Sequence, residues 1–132
     1  MVFPQVAGMI LGIGTDLLDV ARMERELARG SAGFREEVFT PAEIAWCQAR
    51  RYPARHFAAR FAAKEALLKA LPAAGVPVRL RDVEIARTHQ SAPRLVLHGS
   101  LKEAAERLGV RNLHVSLSHT GRFATASVLL EG

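Results

Sequence analysis

The chain has 132 residues, 49% of them apolar and 23% charged, which suffices for one domain with a buried core and is too apolar for a disordered segment. Its 18 Lys and Arg against 13 Asp and Glu leave a net charge of +5. That balance points to a polyanionic partner (nucleic acid, a nucleotide cofactor or an acidic protein) without choosing among them.

Residues 1–8 read as a weakly patterned arm, followed by a single domain over 9–132. Met9–Leu18 (MILGIGTDLL) reads as a strand with Gly12 and Gly14 on one face, which lets a helix or ligand come close to the backbone. Asp19 is placed to cap a helix over Val20–Arg29, which Gly30-Ser31-Ala32-Gly33 breaks. Phe34–Phe39 is ambiguous. Thr40-Pro41-Ala42-Glu43 starts a helix with a capping box, running to about Arg50. Pro53 opens a long helix over about Ala54–Leu71, which Pro72 ends. Arg81–Thr88 and Arg94–His98 alternate as a hairpin, and a short helix over Ser100–Leu108 is expected to be capped by Ser100 and closed by Gly109. Asn112–Ser118 and Phe123–Leu130 read as a second hairpin. The order β-α-α-α-β-β-α-β-β gives an α+β fold, a mixed, mostly antiparallel sheet packed on the long helix.

Several classes drop out. The apolar runs are too short to span a bilayer, and no basic region precedes the N-terminal apolar stretch as in a signal peptide. Cys47 is the single cysteine, so no internal disulfide forms and the cytoplasm is the expected compartment. The five His are too dispersed for a helical zinc site, so any metal is a hard one held by oxygen. GIGTDL has Leu17 where a dinucleotide fingerprint needs its third Gly, and neither a Walker A loop nor a G-x-S-x-G elbow occurs.

The long helix carries the most information. Phe57, Phe61, Leu68 and Leu71 form a bulky stripe, and Ala59, Ala62, Ala63, Ala66 and Ala70 form the opposite face, suited to close backbone approach. Lys64 falls inside the bulky stripe, with Glu65 at its edge and Arg60 and Lys69 beside it. Periodicity alone favours snorkelling stems and a Glu65–Lys69 pair. The alternative is a site in which Glu65 holds a metal and the cations meet phosphate. Asp16 ends the glycine strand, where a turn-forming role competes with a catalytic one. His119 stands at a strand end beside Gly121, a position that favours a cleft mouth. His56, His89, His98 and His114 receive no role. Arg22, Arg25 and Arg29 share one face of the first helix, either as a solvated strip or as a dock for an acidic helix, with Glu24 and Glu26 off that face.

Together these segments resemble the holo-[acyl-carrier-protein] synthases, the short 4′-phosphopantetheinyl transferases. ARFAAKEALLKAL (Ala59–Leu71) is similar to the family's second signature nearly letter for letter, and GIGTDLLDVARM (Gly12–Met23) to its first. VFTPAE, RDVEI and HVSLSHT follow in the family's order. The resemblance implies the 4′-phosphopantetheinyl transferase fold and the transfer of 4′-phosphopantetheine from coenzyme A to a serine of apo-acyl carrier protein. Adenosine 3′,5′-bisphosphate would be released, in support of fatty acid biosynthesis. It further implies magnesium held by Asp16 and Glu65, and catalysis by Glu65, Lys69 and His119. Arg60, Lys64, Lys69 and His119 would contact coenzyme A, and the helix of Arg22, Arg25 and Arg29 would receive the carrier protein. A cytoplasmic homotrimer with sites between subunits is implied as well. Whether Glu65 activates the serine directly or through a metal-bound water stays open. Pro72–Pro77 departs from the family's usual Gly-Thr-Gly. The competing classes are a basic nucleic-acid-binding module, disfavoured by only 6% aromatic residues and no recognition motif, and a non-catalytic structural subunit.

Overall fold

The computed structural model describes residues 8–30, 33–72, 75–88 and 90–132. The expectations for the N-terminal arm up to residue 7, for Ser31-Ala32, for the middle of the Pro72–Pro77 departure and for His89 lie outside the described residues.

Strand β1 (Ile10–Asp19) leads directly into α1 (Val20–Arg29), followed by α2 (Phe34–Val38), α3 (Pro41–Gln48) and the long α4 (Pro53–Ala70). Then come β2 (Val83–Ala86), β3 (Arg94–Leu97), α5 (Gly99–Arg107), β4 (Asn112–His119) and β5 (Phe123–Glu131). The expected elements follow in the expected order with one helix added: the ambiguous Phe34–Phe39 segment resolves as α2, so four helices rather than three separate β1 from β2.

The strands form two separate sheets rather than one, and every pairing among the described residues is antiparallel. β1, β5 and β4 lie in that order, with Ile13 opposite Leu129 and Leu129 opposite His114. β2 and β3 form a small hairpin. It is shorter than the alternation suggested because Leu80–Asp82 is drawn into a 3-10 turn ahead of it.

Helix α4 lies across the larger sheet at a spacing that only glycine permits. A Cβ on Gly12 would stand 2.0 Å from the carbonyl oxygen of Ala70, and one on Gly14 2.0 Å from that of Ala66. The alanine face of the helix therefore rests on β1 and β5, where Ala62, Ala63, Ala66 and Ala70 pack with Ala126, Val128 and Leu130. Leu67 and Leu71 continue this core onto the small hairpin and α5, through Val83, Ile85, Leu97 and Leu101. A second cluster surrounds the first turns of α4, where Phe57 meets Phe39 edge-on at 4.9 Å and packs with Val20, Met23 and Cys47.

The caps follow their sequence signals in two cases and depart in a third. Asp19 Oδ1 accepts from the amides of Ala21 and Arg22 at 2.8 and 3.3 Å, which fixes the start of α1. At α3 the capping box is complete: Thr40 Oγ1 accepts from the Glu43 amide and Glu43 Oε1 from the Thr40 amide. Ser100, in contrast, does not cap α5. That helix starts one residue earlier at Gly99, and His98 occupies the cap position without a side-chain bond to the helix. The His98 ring is turned instead to Glu84, 2.9 Å away.

Candidate active site

Asp16 and Glu65, 49 positions apart in the chain, line one cavity of about 510 Å³. Asp16 does not end its strand as expected but stands within the second half of β1, which runs on to Asp19; Glu65 comes from the second half of α4, and the glycine-mediated approach of helix to strand brings them together. Arg22 and Glu26 of α1 close another side, with Leu18 and Phe61 forming apolar wall. The Asp19 cap sets the direction of α1 and so the placement of both α1 side chains.

Lys69, one turn of α4 beyond Glu65, binds the cavity wall at Asp16. Its Nζ donates to Asp16 Oδ1 and to the Thr15 carbonyl, both at 3.0 Å. The expected Glu65–Lys69 pair is thus replaced by a helix-to-strand bridge, and Glu65 makes no hydrogen bond or ion pair inside the described chain. No cluster of three or more His, Cys, Asp or Glu suited to a metal occurs among the described residues. Two carboxylates facing one open cavity, with oxygen donors only, fit magnesium, which keeps waters and substrate phosphates in its shell. They do not fit a zinc or calcium cage.

Two of the expected coenzyme A contacts lie elsewhere. Lys64 is fully buried: its Nζ is 2.8 Å from Glu43 Oε1 and 3.1 Å from the Leu80 carbonyl, and also donates to the Val83 carbonyl. All three ammonium donors are spent, so within this chain Lys64 is closed to a phosphate. Burial pushes its ammonium below the usual lysine range, against the pull of Glu43. Glu43 Oε2 accepts from the Ile85 amide at 3.0 Å, so this ion pair ties α3, α4 and β2 together. Arg60 is only 1% exposed, and its Nε and Nη2 have no hydrogen-bond partner. Its guanidinium lies 5.8 Å from the Trp46 ring centroid.

His119 is not a wall of the Asp16–Glu65 cavity. It ends β4, opposite Ala124, and its ring meets that of His56 edge-on at 4.8 Å. Arg55 sits over the same β4–β5 turn, with its guanidinium 3.1 Å from where a Cβ on Gly121 would be. Burial, then the charges of Arg55, Arg60 and Arg87, hold the His119 ring below the usual imidazole range. Burial first, then His119 and the arginines 60, 50 and 87, lower His56 to about 4. The site residues thus fall into two groups: Asp16, Glu65, Lys69 and Arg22 in one, His119 with His56 and the arginines in the other.

Arg22, Arg25 and Arg29 are all exposed, as expected of a strip on one helix face. Three contributors escaped the sequence reading. Glu26 lies off the arginine strip by spacing, yet it lines the cavity and pairs with Arg29 at 3.5 Å. The signal for it was its position one turn after Arg22. Glu43 was recognised as a cap but not as the counter-ion of Lys64. His56 had no signal at all, because its proximity to His119 depends on how α4 crosses β4.

A family model for the 4′-phosphopantetheinyl transferase superfamily matches residues 12–126. A holo-[acyl-carrier-protein] synthase of Anaeromyxobacter dehalogenans is 50% identical over 129 residues, covering 94% of this chain and 98% of that protein. One from Syntrophus aciditrophicus is 44% identical over 125 residues, with the same coverage. Among solved structures, holo-[acyl-carrier-protein] synthase from Neisseria meningitidis superposes with a TM-score of 0.79 at 29% identity, covering 94% of this chain and 100% of that one. The Helicobacter pylori enzyme in complex with coenzyme A gives 0.75 at 32% identity, covering 89% and 98%. The chain therefore belongs to the 4′-phosphopantetheinyl transferase superfamily, and its relatives there are holo-[acyl-carrier-protein] synthases.

Proposed function

We propose that this chain transfers the 4′-phosphopantetheine group of coenzyme A to a serine of apo-acyl carrier protein, releasing adenosine 3′,5′-bisphosphate. The observation that carries this reading is the meeting of Asp16 and Glu65 in one cavity, inside a chain of this family. The serine oxygen forms a bond to the pantetheine-bearing phosphorus as the pyrophosphate P–O bond breaks. The serine proton passes to Glu65, directly or by way of a water, the Glu65 carboxylate making no bond inside the described chain. Lys69, held by Asp16 and Thr15, presents a cation beside the cavity wall where charge develops on the leaving phosphate. Asp16 and Glu65 would hold magnesium, which when bound neutralises the diphosphate.

The carrier would dock on Arg22, Arg25 and Arg29, whose exposed cations suit an acidic helix. A homotrimer fits the outer face of the large sheet, where Ile13 and Leu17 are 70% and 64% exposed on the side away from α4. It would also bring the His119 group of one copy to the Asp16–Glu65 cavity of another, joining two groups that one chain keeps apart. Residues 9–132 would act as one domain in the cytoplasm, supplying fatty acid biosynthesis with active carrier. No helix among the described residues is long and apolar enough to cross a membrane.

Incubation with coenzyme A, magnesium and an apo-acyl carrier protein tests the reading. A magnesium-dependent mass gain on the carrier serine is expected, and an unmodified carrier sinks it. The same incubation separates an enzyme from a basic nucleic-acid-binding module or a structural subunit.

A further inference from the structure

The strip on α1 is not purely cationic where it meets the cavity. Glu26 stands one turn after Arg22 and one turn before Arg29, so these three side chains follow one another along a single ridge of the helix. Arg22 and Glu26 line the cavity of Asp16 and Glu65, whereas Arg25 and Arg29 are not among its walls. Glu26 therefore stands at the crossing from the exposed arginines to the reacting centre. Its one ion pair among the described residues is with Arg29, at 3.5 Å, and the Arg29 side chain is 69% exposed. A solvated pair of that kind is weak, and an incoming partner exchanges it at little cost. Glu26 is not drawn into the Asp16–Glu65 pair either, since no group of three carboxylates able to share a metal occurs among the described residues. Glu24, by contrast, is exposed and lies off the cavity walls.

We propose that Glu26 is a specificity determinant of carrier docking: it rejects an acidic side chain, and accepts a basic one, at the point where the carrier crosses from the arginine strip to the cavity. An acidic helix lying along α1 gains from the guanidinium groups of Arg25 and Arg29. The carrier must also bring its serine to Glu65, across the ridge on which Glu26 follows Arg22. A carrier carboxylate held over Glu26 meets a like charge inside a closing contact that sheds water, where repulsion is stronger than in open solvent. A carrier Lys at that point exchanges the loose Arg29 pair for an ion pair across the interface. Choice between carriers then comes from a repulsive contact as much as from attractive ones. The inference rests on the carrier reading above and adds to it a residue that chooses between carriers.

The test changes charge on both proteins. An apo-acyl carrier protein that the native chain modifies is prepared with each acidic residue near its acceptor serine changed singly to Lys. KM for every carrier is measured with the native chain, E26Q, E26K and E24K, the last having the same net charge as E26K. With the native chain most of the altered carriers should show a higher KM, having lost an arginine contact. At one position Lys should instead lower KM, by about three- to tenfold. That advantage should shrink in E26Q and reverse in E26K, where the original acidic carrier becomes the better substrate. Added salt should weaken the effect, and E24K should shift all carriers alike through the long-range field. E26Q keeps the shape of the side chain and decides the matter if E26K does not fold. The proposal is overturned if no carrier position depends on the charge at residue 26, if E24K reproduces the dependence, or if E26Q changes KM for coenzyme A as much as KM for the carriers. A native chain that modifies no carrier would instead remove the transfer reading itself.

Discussion

Lys69 on α4 bridges to Asp16 on β1, its ammonium 3.0 Å from the carboxylate, at a point where the helix and the strand are already pressed together by glycine. The bridge fixes Asp16 toward the cavity that it shares with Glu65 and sets a cation beside it. Lys69 is more than half exposed, so its value lies in placement rather than in stability. Lys69→Met should lower kcat by about 10²- to 10³-fold while leaving the melting temperature almost unchanged. Mass analysis of the carrier over time, beside a thermal melt, checks both halves.

Asp16→Asn and Glu65→Gln keep the shape of each side chain and remove its charge. Each variant should fold as the native chain does and yield no modified carrier. Full activity in either variant would remove that residue from the metal and proton-transfer roles.

The glycines of β1 make a sharper structural prediction. Gly14→Ala places a carbon 2.0 Å from a helix carbonyl, and the helix must move outward to admit it. A loss of about 3 kcal/mol is expected in urea unfolding. Because the same displacement draws Glu65 away from Asp16, activity should fall more than the folded fraction does.

Removing Lys64 should act through the fold. Lys64→Met leaves Glu43 buried and charged without its partner, at a cost of about 3–5 kcal/mol. The double variant Lys64→Met with Glu43→Gln should recover part of that loss. A rise in KM for coenzyme A with no loss of stability would restore Lys64 as a ligand contact.

Reversing two charges of the exposed strip, Arg22→Glu with Arg25→Glu, should raise KM for the carrier protein by about tenfold or more. KM for coenzyme A should change less. Equal changes in both would point away from α1 as the docking face.

Local chemistry explains which of these features could be read before the structure. The Asp19 cap, the Thr40–Glu43 box, the Pro53 start and the glycine–alanine contact each depend on residues within a turn of one another or on one repeating face, and each took its expected place. Lys64 shows the limit. Helical periodicity put it in an apolar stripe but could not reveal that Glu43 and two carbonyls from the segment before β2 and its first residue would surround it. His56 and His119, similarly, meet through the crossing of α4 and β4, a relation no spacing encodes. Ser100 is not the cap because α5 already begins at Gly99, which puts His98 in the cap position.

The His56 environment also fixes the direction of an acid effect on stability. An unfolded chain protonates His56 near 6.5, whereas the folded chain resists until about 4. As pH falls through about 6.5, the unfolded state binds a proton that the folded state excludes, and the linkage term turns against folding. The loss grows until about pH 4, below which both states carry the proton and this group contributes no further slope. His119, lowered for the same reasons, adds in the same direction. Carboxylates also titrate toward the lower end of this range, so the informative quantity is a difference between two proteins. H56F supplies an aromatic ring that does not titrate. Urea midpoints for the native chain and H56F, measured between about pH 7.5 and about pH 4.5, should converge or cross as the pH drops, with the native chain losing stability faster. Parallel curves would mean that His56 is protonated with equal ease in both states, and that burial and the neighbouring arginines do not hold the folded ring neutral.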